Sequence, residues 1–370
     1  MTAPRVFLED IVATLRTEGL LDDEAIESAS QRIASVSEVQ PWYIRAMVGF
    51  GAWLASLLLI GFVAGFAFDS AVARAIVGLV LIAAAVFLRH RSSNDFVVQS
   101  ALAASLAGQA LLAFGIAESA EDRFLEFIET MFGTALIVSI VLFVMFPDRL
   151  HRVISVIIAT ASLTVLTYSQ ELNALVPLLG PALAGGLVLV HEQRAHLVAG
   201  SRAQLVHPLM IGLMLSSFGC LLLSTVYVLP ELGAEFEFYP RPWISTILLG
   251  ALLVYSGRGL WAELLTGAPG HAAYVVYALI AVVIAAAWAA PGLLLALLVV
   301  MLGAVAGNRA MTGAGIGFLA VFMAAYFYGI QITMLTKSVT LVGAGVAILL
   351  ARWLMLKVLG APAQTEQSHA

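Results

Sequence analysis

Residues 326–357 read YFYGIQITMLTKSVTLVGAGVAILLARWLMLK. Three aromatic residues open this stretch, and such rings favour the edge of a bilayer. A polar segment follows, and fourteen uncharged residues then run from Ser338 to Ala351 before Arg352. They span about 21 Å of helix at a rise of about 1.5 Å per residue, so Lys337 and Arg352 can reach opposite faces of one membrane. The stretch therefore predicts a final membrane crossing with a cation at each end.

The composition of the whole chain fits this prediction. Of 370 residues, 61% are hydrophobic and 11% are charged, and the mean hydropathy is +1.00, whereas a soluble domain carries about 25% charged residues. The net charge of -5 comes largely from acids near the N-terminus and between Glu118 and Glu129, which indicates no nucleic-acid partner. The single cysteine, Cys220, excludes an intrachain disulfide. We expect an all-α polytopic transmembrane helix bundle in contact with the lipid bilayer.

Three regions are predicted along the chain. Residues 1–45 hold eight acids and four arginines, a pattern unlike a signal peptide, and they predict a cytoplasmic helical hairpin. The alternatives for this hairpin are a solvated cap and a regulatory docking module. Residues 46–358 are predicted to form the membrane domain, and residues 359–370 a disordered C-terminal tail.

Apolar runs predict about twelve spans. Several are shorter than the roughly 20 residues that a full crossing needs, and Pro291 could kink one bent element, so ten or eleven spans is the alternative. The spans are placed at 46–68, 73–88, 96–116, 131–146, 153–168, 175–190, 209–229, 243–255, 272–290, 291–305, 313–328 and 338–355.

The basic residues predict which side each loop faces. Fourteen of the 18 Lys and Arg residues fall on the side of the N-terminus, and an excess of such residues marks the cytoplasmic side. We therefore expect both termini in the cytoplasm. The sixteen Arg against two Lys, with abundant Ala, indicate a GC-rich bacterial genome, so the membrane is expected to be a bacterial inner membrane. The four outer cations are Arg74, Arg123, Arg241 and Lys337. Two outer loops are acidic, one with Glu118, Glu121, Asp122, Glu126 and Glu129, the other with Glu231, Glu235 and Glu237.

No catalytic, cofactor or metal motif is found in the sequence, so we expect no enzyme and no cofactor. Every acid can be placed in a loop, a tail or the end of a span, unlike the mid-membrane acid of most ion-coupled transporters. Gln99 and Gln109 share the third predicted span with Ser105, and we favour interhelical hydrogen bonds for them over a substrate site. Six of the seven histidines are interpreted as ordinary interfacial residues: His90, His151, His191, His196, His207 and His271.

Three pairs of glycines have the small-xxx-small spacing that lets helix backbones approach closely. These pairs predict helix packing and carry no chemistry. They are Gly61 with Gly65, Gly303 with Gly307, and Gly313 with Gly317.

The end of the chain resembles the DUF4401 family of bacterial multi-spanning membrane proteins. The opening of the membrane domain, PWYIRAMVGFGAWLASLLLIGF at 41–62, is also similar to that family, and Glu18 to Leu21 resemble the start of the related DUF2157 proteins. The family has no established activity, so the resemblance implies no catalytic residue. It does imply a partner, a small membrane-anchored protein named for a GDYxxLxY motif. The residues that carry the resemblance at the end of the chain are Tyr326, Phe327, Tyr328, Thr333, Met334, Leu335, Lys337, Ser338, Gly343, Gly345 and Arg352.

Two functions remain open from the sequence. The first is a non-enzymatic protein that assembles with a membrane-anchored partner through its acidic outer loops. The alternative is a transporter or lipid-handling protein in which Gln99, Gln109 and Ser105 line a path. Lys337 is interpreted either as an interfacial anchor or as the partner of an outer acid, with Tyr326, Tyr328 and Ser338 around it.

Overall fold

The computed structural model describes residues 70–92, 94–120, 124–172, 174–199, 203–226, 242–258 and 290–329, with isolated residues elsewhere. Within these ranges the regular secondary structure is helical, and no strand is present. The prediction of an all-α chain is therefore confirmed for this part. The helices are α1 (Ala71–Arg91), α2 (Asp95–Ala120), α3 (Phe124–Met145), α4 (Arg149–Ser169), α5 (Val176–Glu192), α6 (Arg194–Ala199), α7 (Ala203–Val226), α8 (Pro242–Ser256), α9 (Pro291–Val305) and α10 (Arg309–Gly329).

Several of these helices are long and apolar enough to cross a membrane. Five meet that criterion in the described ranges, namely α1, α2, α3, α4 and α7, while α5, α8, α9 and α10 contribute shorter apolar segments. Nine of the predicted spans coincide with these helices. The first, ninth and twelfth predicted spans, the N-terminal hairpin, the C-terminal tail and the segment with Lys337, Ser338 and Arg352 lie largely or wholly outside the described residues.

The helices extend beyond the apolar runs that identified them. Helix α3 begins at Phe124 and not near Met131, so the prediction that Glu126 and Glu129 lie in a loop was wrong. Glu126 is in the first turn of α3, where the exposed backbone N–H groups of a helix favour a negative charge. Arg74, also assigned to a loop, lies inside α1.

Pro291 opens a helix and does not kink one. Helix α9 begins at this residue, a position where proline's missing N–H costs nothing because the first N–H groups of a helix have no intrahelical partner. A turn precedes it, since the Ala290 amide donates to the Ala287 carbonyl. Pro291 is therefore the first residue of a separate helix.

The contacts between helices fix their relative directions. Residue pairs between α4 and α7, such as Thr160 with Ser216 and Thr164 with Cys220, keep a constant offset of 56, so these two helices are parallel. Between α9 and α10 the numbers change in opposite directions, because Gly303 lies against Thr312 and Gly315 against Val300. Helices α9 and α10 are therefore antiparallel, and α4 and α7, which α5 separates along the chain, are parallel.

The described helices pack into two groups. We call α1 to α4 the first bundle, and α5 with α7 to α10 the second bundle. The second bundle encloses a large apolar core, which includes Leu187, Phe218, Leu249 and Leu298. The first bundle has a separate small core of Ala85, Ala101 and Phe146. Large apolar side chains also cover the outside of both groups, which suits a lipid environment.

Close backbone approach is concentrated at a few glycines. A methyl group on Gly115 of α2 would stand 2.5 Å from the Ala75 backbone nitrogen of α1, and one on Gly303 would stand 2.6 Å from the Thr312 nitrogen. By contrast, a methyl group on Gly313 or Gly317 would meet nothing within 4 Å. Of the described glycines in the small-xxx-small pairs, only Gly303 therefore sits at a tight helix contact.

Candidate functional site

A cluster of polar side chains lies inside the first bundle, between α2, α3 and α4. Its centre is His151, which is 0% exposed, and Gln109 beside it is 4% exposed. Ser105, Ser139 and Ser155 complete the cluster, and each is almost fully buried. We call these five residues the His151 cluster.

Four hydrogen-bonding contacts connect the cluster. The Ser105 Oγ lies 2.8 Å from His151 Nε2, and the Gln109 Nε2 lies 3.3 Å from the same nitrogen. The Ser139 hydroxyl donates to Gln109 Oε1 at 3.3 Å, and the Ser155 Oγ lies 3.2 Å from His151 Nδ1. The imidazole ring thereby joins α4 to α2, and the Gln109 side chain joins α2 to α3.

This arrangement selects one form of the imidazole. The amide nitrogen of Gln109 can only donate, so His151 Nε2 has to accept, and the Ser105 hydroxyl donates to it as well. The ring proton is then on Nδ1, which donates to the Ser155 Oγ. With the Gln109 amide in this orientation, His151 is the neutral Nδ1–H tautomer, and the Ser139 hydroxyl donates to the amide oxygen of Gln109.

The local sequence explains why His151 points inward. Asp148 is the N-cap of α4, and its Oδ1 accepts the backbone N–H of His151 at 3.0 Å, which starts the helix before His151. Phe146 stacks on the imidazole, with ring centroids 4.1 Å apart and planes inclined by 18°. Ser155 is one turn further along α4, so it faces the same side as His151.

Arg152 fastens the beginning of α4 to two other helices. It is buried, with 7% of the residue exposed. Its Nε donates to the Phe143 carbonyl at 3.1 Å, near the end of α3, and its Nη1 donates to the Gln204 carbonyl at 3.2 Å, at the start of α7. The Phe143 carbonyl lies in the last turn of α3, where carbonyls lack intrahelical partners, so an arginine can satisfy it there.

An ion pair joins the start of α1 to the end of α2. The Arg74 guanidinium bonds to the Glu118 carboxylate, and Arg74 also lies over the Phe114 ring at 5.6 Å from its centroid. The Phe114 ring meets the Phe127 ring of α3 edge to face. This cluster joins the three helices at the end that carries Glu118 and Glu126.

A second ion pair joins the ends of α5 and α8. The Arg258 Nη2 lies 3.2 Å from Glu192 Oε1, and the Tyr255 hydroxyl donates to Glu192 Oε2 at 3.2 Å. Arg258 also lies over the Tyr255 ring, 4.0 Å from its centroid. The C-terminal ends of α5 and α8 meet here, so the two helices run parallel.

The structure places the candidate residues from the sequence in different surroundings. Gln109 makes interhelical bonds, as predicted, whereas Gln99 on the same helix lies outside the His151 cluster and is half-buried. Tyr326 and Tyr328 belong to the last turns of α10, but their side chains lie outside the described residues, as do Lys337, Ser338 and Arg352. Among the residues that the structure describes, no group of three or more His, Cys, Asp and Glu side chains could hold a metal ion.

His151 is the residue that the sequence reasoning missed. Its interpretation as an interfacial histidine was wrong, because the side chain is fully buried and hydrogen-bonded. The signal was present in Pro147 and Asp148, since an N-cap at Asp148 starts the helix before His151 rather than at Val153. With that start, His151 and Ser155 share one face and lie opposite the face with Gln109 on α2.

Comparison with known proteins identifies the family. No individual curated protein matches the chain. The sequence profile described as "Domain of unknown function (DUF4401)" matches residues 41–358, a range that contains all ten described helices. The similarity of the N-terminal hairpin to DUF2157 precedes the matched residues and stays a prediction. By the extent of this match and the resemblance at both ends of the membrane domain, the chain belongs to the DUF4401 family.

Proposed function

We propose that this protein is a non-enzymatic, multi-pass protein of the bacterial inner membrane that works by assembling with a small membrane-anchored partner. The observation that carries the proposal is the state of Gln109, an uncharged polar side chain that is 4% exposed inside the described helices. Its amide nitrogen and its amide oxygen both bond to protein side chains, His151 and Ser139. A group that is bonded at both ends inside the bundle serves to join helices, and it is not available to line a transport path.

The packing of the second bundle supports the same function. Its buried residues are overwhelmingly Leu, Val, Ala and Phe, and the side chains of Leu294, Leu295 and Leu298 are 0% exposed. Transport sites in membrane proteins are usually built from interrupted helices and polar groups near the middle of the bilayer. The described core is instead apolar and closely packed, as in a rigid scaffold. This suits a protein that functions as part of a complex.

The partner surface in this proposal is the acidic outer side. On the described helices it consists of Glu126 and Glu129 at the start of α3, beside Phe124 and Leu125, which are 75% and 61% exposed. Glu231, Glu235 and Glu237 belong to the same side in the proposed topology. We propose that the small membrane-anchored protein of the GDYxxLxY type, which the resemblance to the family implies, docks there through positive charges of its own.

The proposal includes twelve spans and both termini in the cytoplasm. The parallel α4 and α7 and the antiparallel α9 and α10 support it, and the positive residues set the sidedness. Reporter fusions after residue 200 should then behave as cytoplasmic and those after residue 234 as periplasmic. The opposite pattern would place the acidic segments in the cytoplasm and remove the docking surface from the periplasm.

A pull-down from mild detergent tests the assembly. The tagged chain should recover one membrane-anchored protein in a fixed ratio, and the double variant Glu126→Gln, Glu129→Gln should lose it because the negative charges are removed. Glu192→Gln is the matched control, since Glu192 pairs with Arg258 at the opposite ends of the helices. Recovery that is equal for both variants would refute the acidic docking surface, and recovery of no partner would refute the assembly.

A further inference from the structure

The two bundles meet along a seam of small and polar residues. Within the described helices, the extensive contact between the bundles is that of α4 with α7. No described residue of α4 belongs to the apolar core of the second bundle. The two cores are therefore separate, and the surface between them has a different chemistry from either core.

The two faces of α4 are held in different ways. On the side of the first bundle, His151 bonds to Ser105, and Arg152 bonds to the end of α3. On the side of α7, the Thr160 hydroxyl bonds to the Ser216 Oγ at 2.7 Å, and the Thr164 Oγ1 lies 3.7 Å from Cys220 Sγ. Helix α4 is thus built into the first bundle and contacts the second through short side chains and through Arg152, which donates to the Gln204 carbonyl of α7.

The polar residues of the seam repeat with one spacing on both helices. On α4 they are Thr160 and Thr164, and on α7 they are Ser216 and Cys220, each pair four residues apart. Gly212 precedes Ser216 by another four residues and lies against Val156, where a methyl group would stand 2.6 Å from the Val156 Cβ. A shift of one helical turn would place Thr164 opposite Ser216 and Thr160 opposite Gly212. A hydroxyl pair would then form again, and the glycine would leave room for Thr160.

Arg152 can remain bonded through such a shift. The constant offset of 56 would pair it with residue 208, but its guanidinium reaches the carbonyl of Gln204, four residues earlier. Gln204 is the residue that the shifted register would bring opposite Arg152. The long side chain therefore spans the distance between the two registers.

We propose that the α4–α7 seam is a sliding surface with two registers, in which the first bundle moves along the second by one turn of helix. A turn corresponds to about 5.4 Å, and such one-turn shifts of packed elements are a known form of conformational switch. In the shifted register Thr164 would pair with Ser216, and the Thr160 hydroxyl would keep its bond to the Val156 carbonyl of its own helix at 2.9 Å, so both hydroxyl groups would retain a partner. The motion is a property of the fold and does not depend on the assembly proposed above.

Disulfide trapping in the full chain tests this proposal. The protein contains one cysteine, Cys220, so Thr164→Cys creates a pair that matches the observed register. Adding Ser216→Cys and Cys220→Ser creates a pair that matches only the shifted register, because a disulfide needs Cα atoms within about 7 Å. Oxidation in native membranes, followed by alkylation and intact mass, counts the thiols that remain.

Leu163 provides the matched control. It neighbours Thr164 on α4 but points outward, with 41% of the residue exposed. We expect both Thr164→Cys variants to lose both free thiols, while Leu163→Cys in either background keeps them. If the variant for the shifted register stays as reduced as the Leu163 control, the second register does not exist and the proposal is wrong. Retention of the thiols in both Thr164→Cys variants would also overturn it, because Thr164 would then not lie beside residue 220, as it does in the observed register.

Discussion

Gln109 on α2 donates its amide N–H to His151 Nε2 on α4 across 3.3 Å, inside a bundle whose surroundings are almost entirely apolar. In such surroundings a polar side chain is tolerated only when its donors and acceptors are occupied. The Ser139 hydroxyl occupies the amide oxygen. The pair therefore fixes how α2, α3 and α4 fit together, and it is the natural point at which to perturb the bundle.

Replacing Gln109 by Leu should destabilise the protein. The substitution introduces an apolar side chain of similar size, which leaves Ser139 without its acceptor and His151 with one donor fewer. We expect a loss of about 1 kcal/mol in the free energy of unfolding, since interhelical hydrogen bonds in membranes contribute about 0.6 to 2 kcal/mol. Unfolding in mixed micelles with increasing SDS measures it.

Ser119→Ala is the control for that experiment. Ser119 lies on the same helix, is exposed, and bonds only to the carbonyl of Ile116 in its own turn, among the contacts described. Its removal should leave the free energy of unfolding nearly unchanged. Equal effects of the two substitutions would mean that the His151 cluster contributes nothing to the stability of the bundle.

The tautomer of His151 is a second prediction. Because Gln109 donates to Nε2, the proton should be on Nδ1. Nitrogen-15 NMR of protein labelled at histidine should show Nδ1 at a pyrrole-like shift and Nε2 at a pyridine-like shift. The signals of His151 are assigned as those that vanish in His151→Gln. A protonated Nε2 would require the Gln109 amide to be reversed and would contradict the hydrogen-bond directions given above.

Gly303 and Gly313 should respond in opposite ways to alanine. Both belong to small-xxx-small pairs in the sequence, but only Gly303 meets a backbone, at 2.6 Å from the Thr312 nitrogen. Gly303→Ala should force α9 and α10 apart and cost about 1 to 3 kcal/mol. Gly313→Ala should be neutral or stabilising by up to about 1 kcal/mol, because alanine favours the helix. Thermal unfolding of the purified variants in one detergent compares them, and a larger loss for Gly313→Ala would contradict the packing of α9 on α10.

The sequence predicted the helices well and the polar interior poorly, for physical reasons. Long apolar runs identify membrane helices directly, so nine predicted spans coincide with described helices. The ends were less accurate, because a charged residue such as Glu126 or Arg74 was assigned to a loop although a helix end accommodates it. Partners of polar residues depend on which helices become neighbours, and the spacing of Gln109 along α2 contains no information about His151, which is 42 residues away.

Lys337 gives a prediction outside the described residues. As the only lysine before residue 357, it is expected to pair with an acid of the outer side and tie the end of the bundle to it. Lys337→Ala should then lower the thermal stability in detergent or release the partner, while Lys357→Ala, at the inner tail, should do neither. If the two substitutions have equally small effects, Lys337 is an interfacial anchor.

The mass of the purified particle tests the central claim of assembly most directly. The chain alone has a mass of 39.1 kDa, and native mass spectrometry after gentle extraction from the membrane reports what remains bound to it. We predict a particle that contains a second, smaller polypeptide in a fixed ratio, and that loses this polypeptide in the variant Glu126→Gln, Glu129→Gln. A mass equal to 39.1 kDa or to a whole multiple of it would show that the chain works alone or with its own copies, and would contradict the proposed assembly.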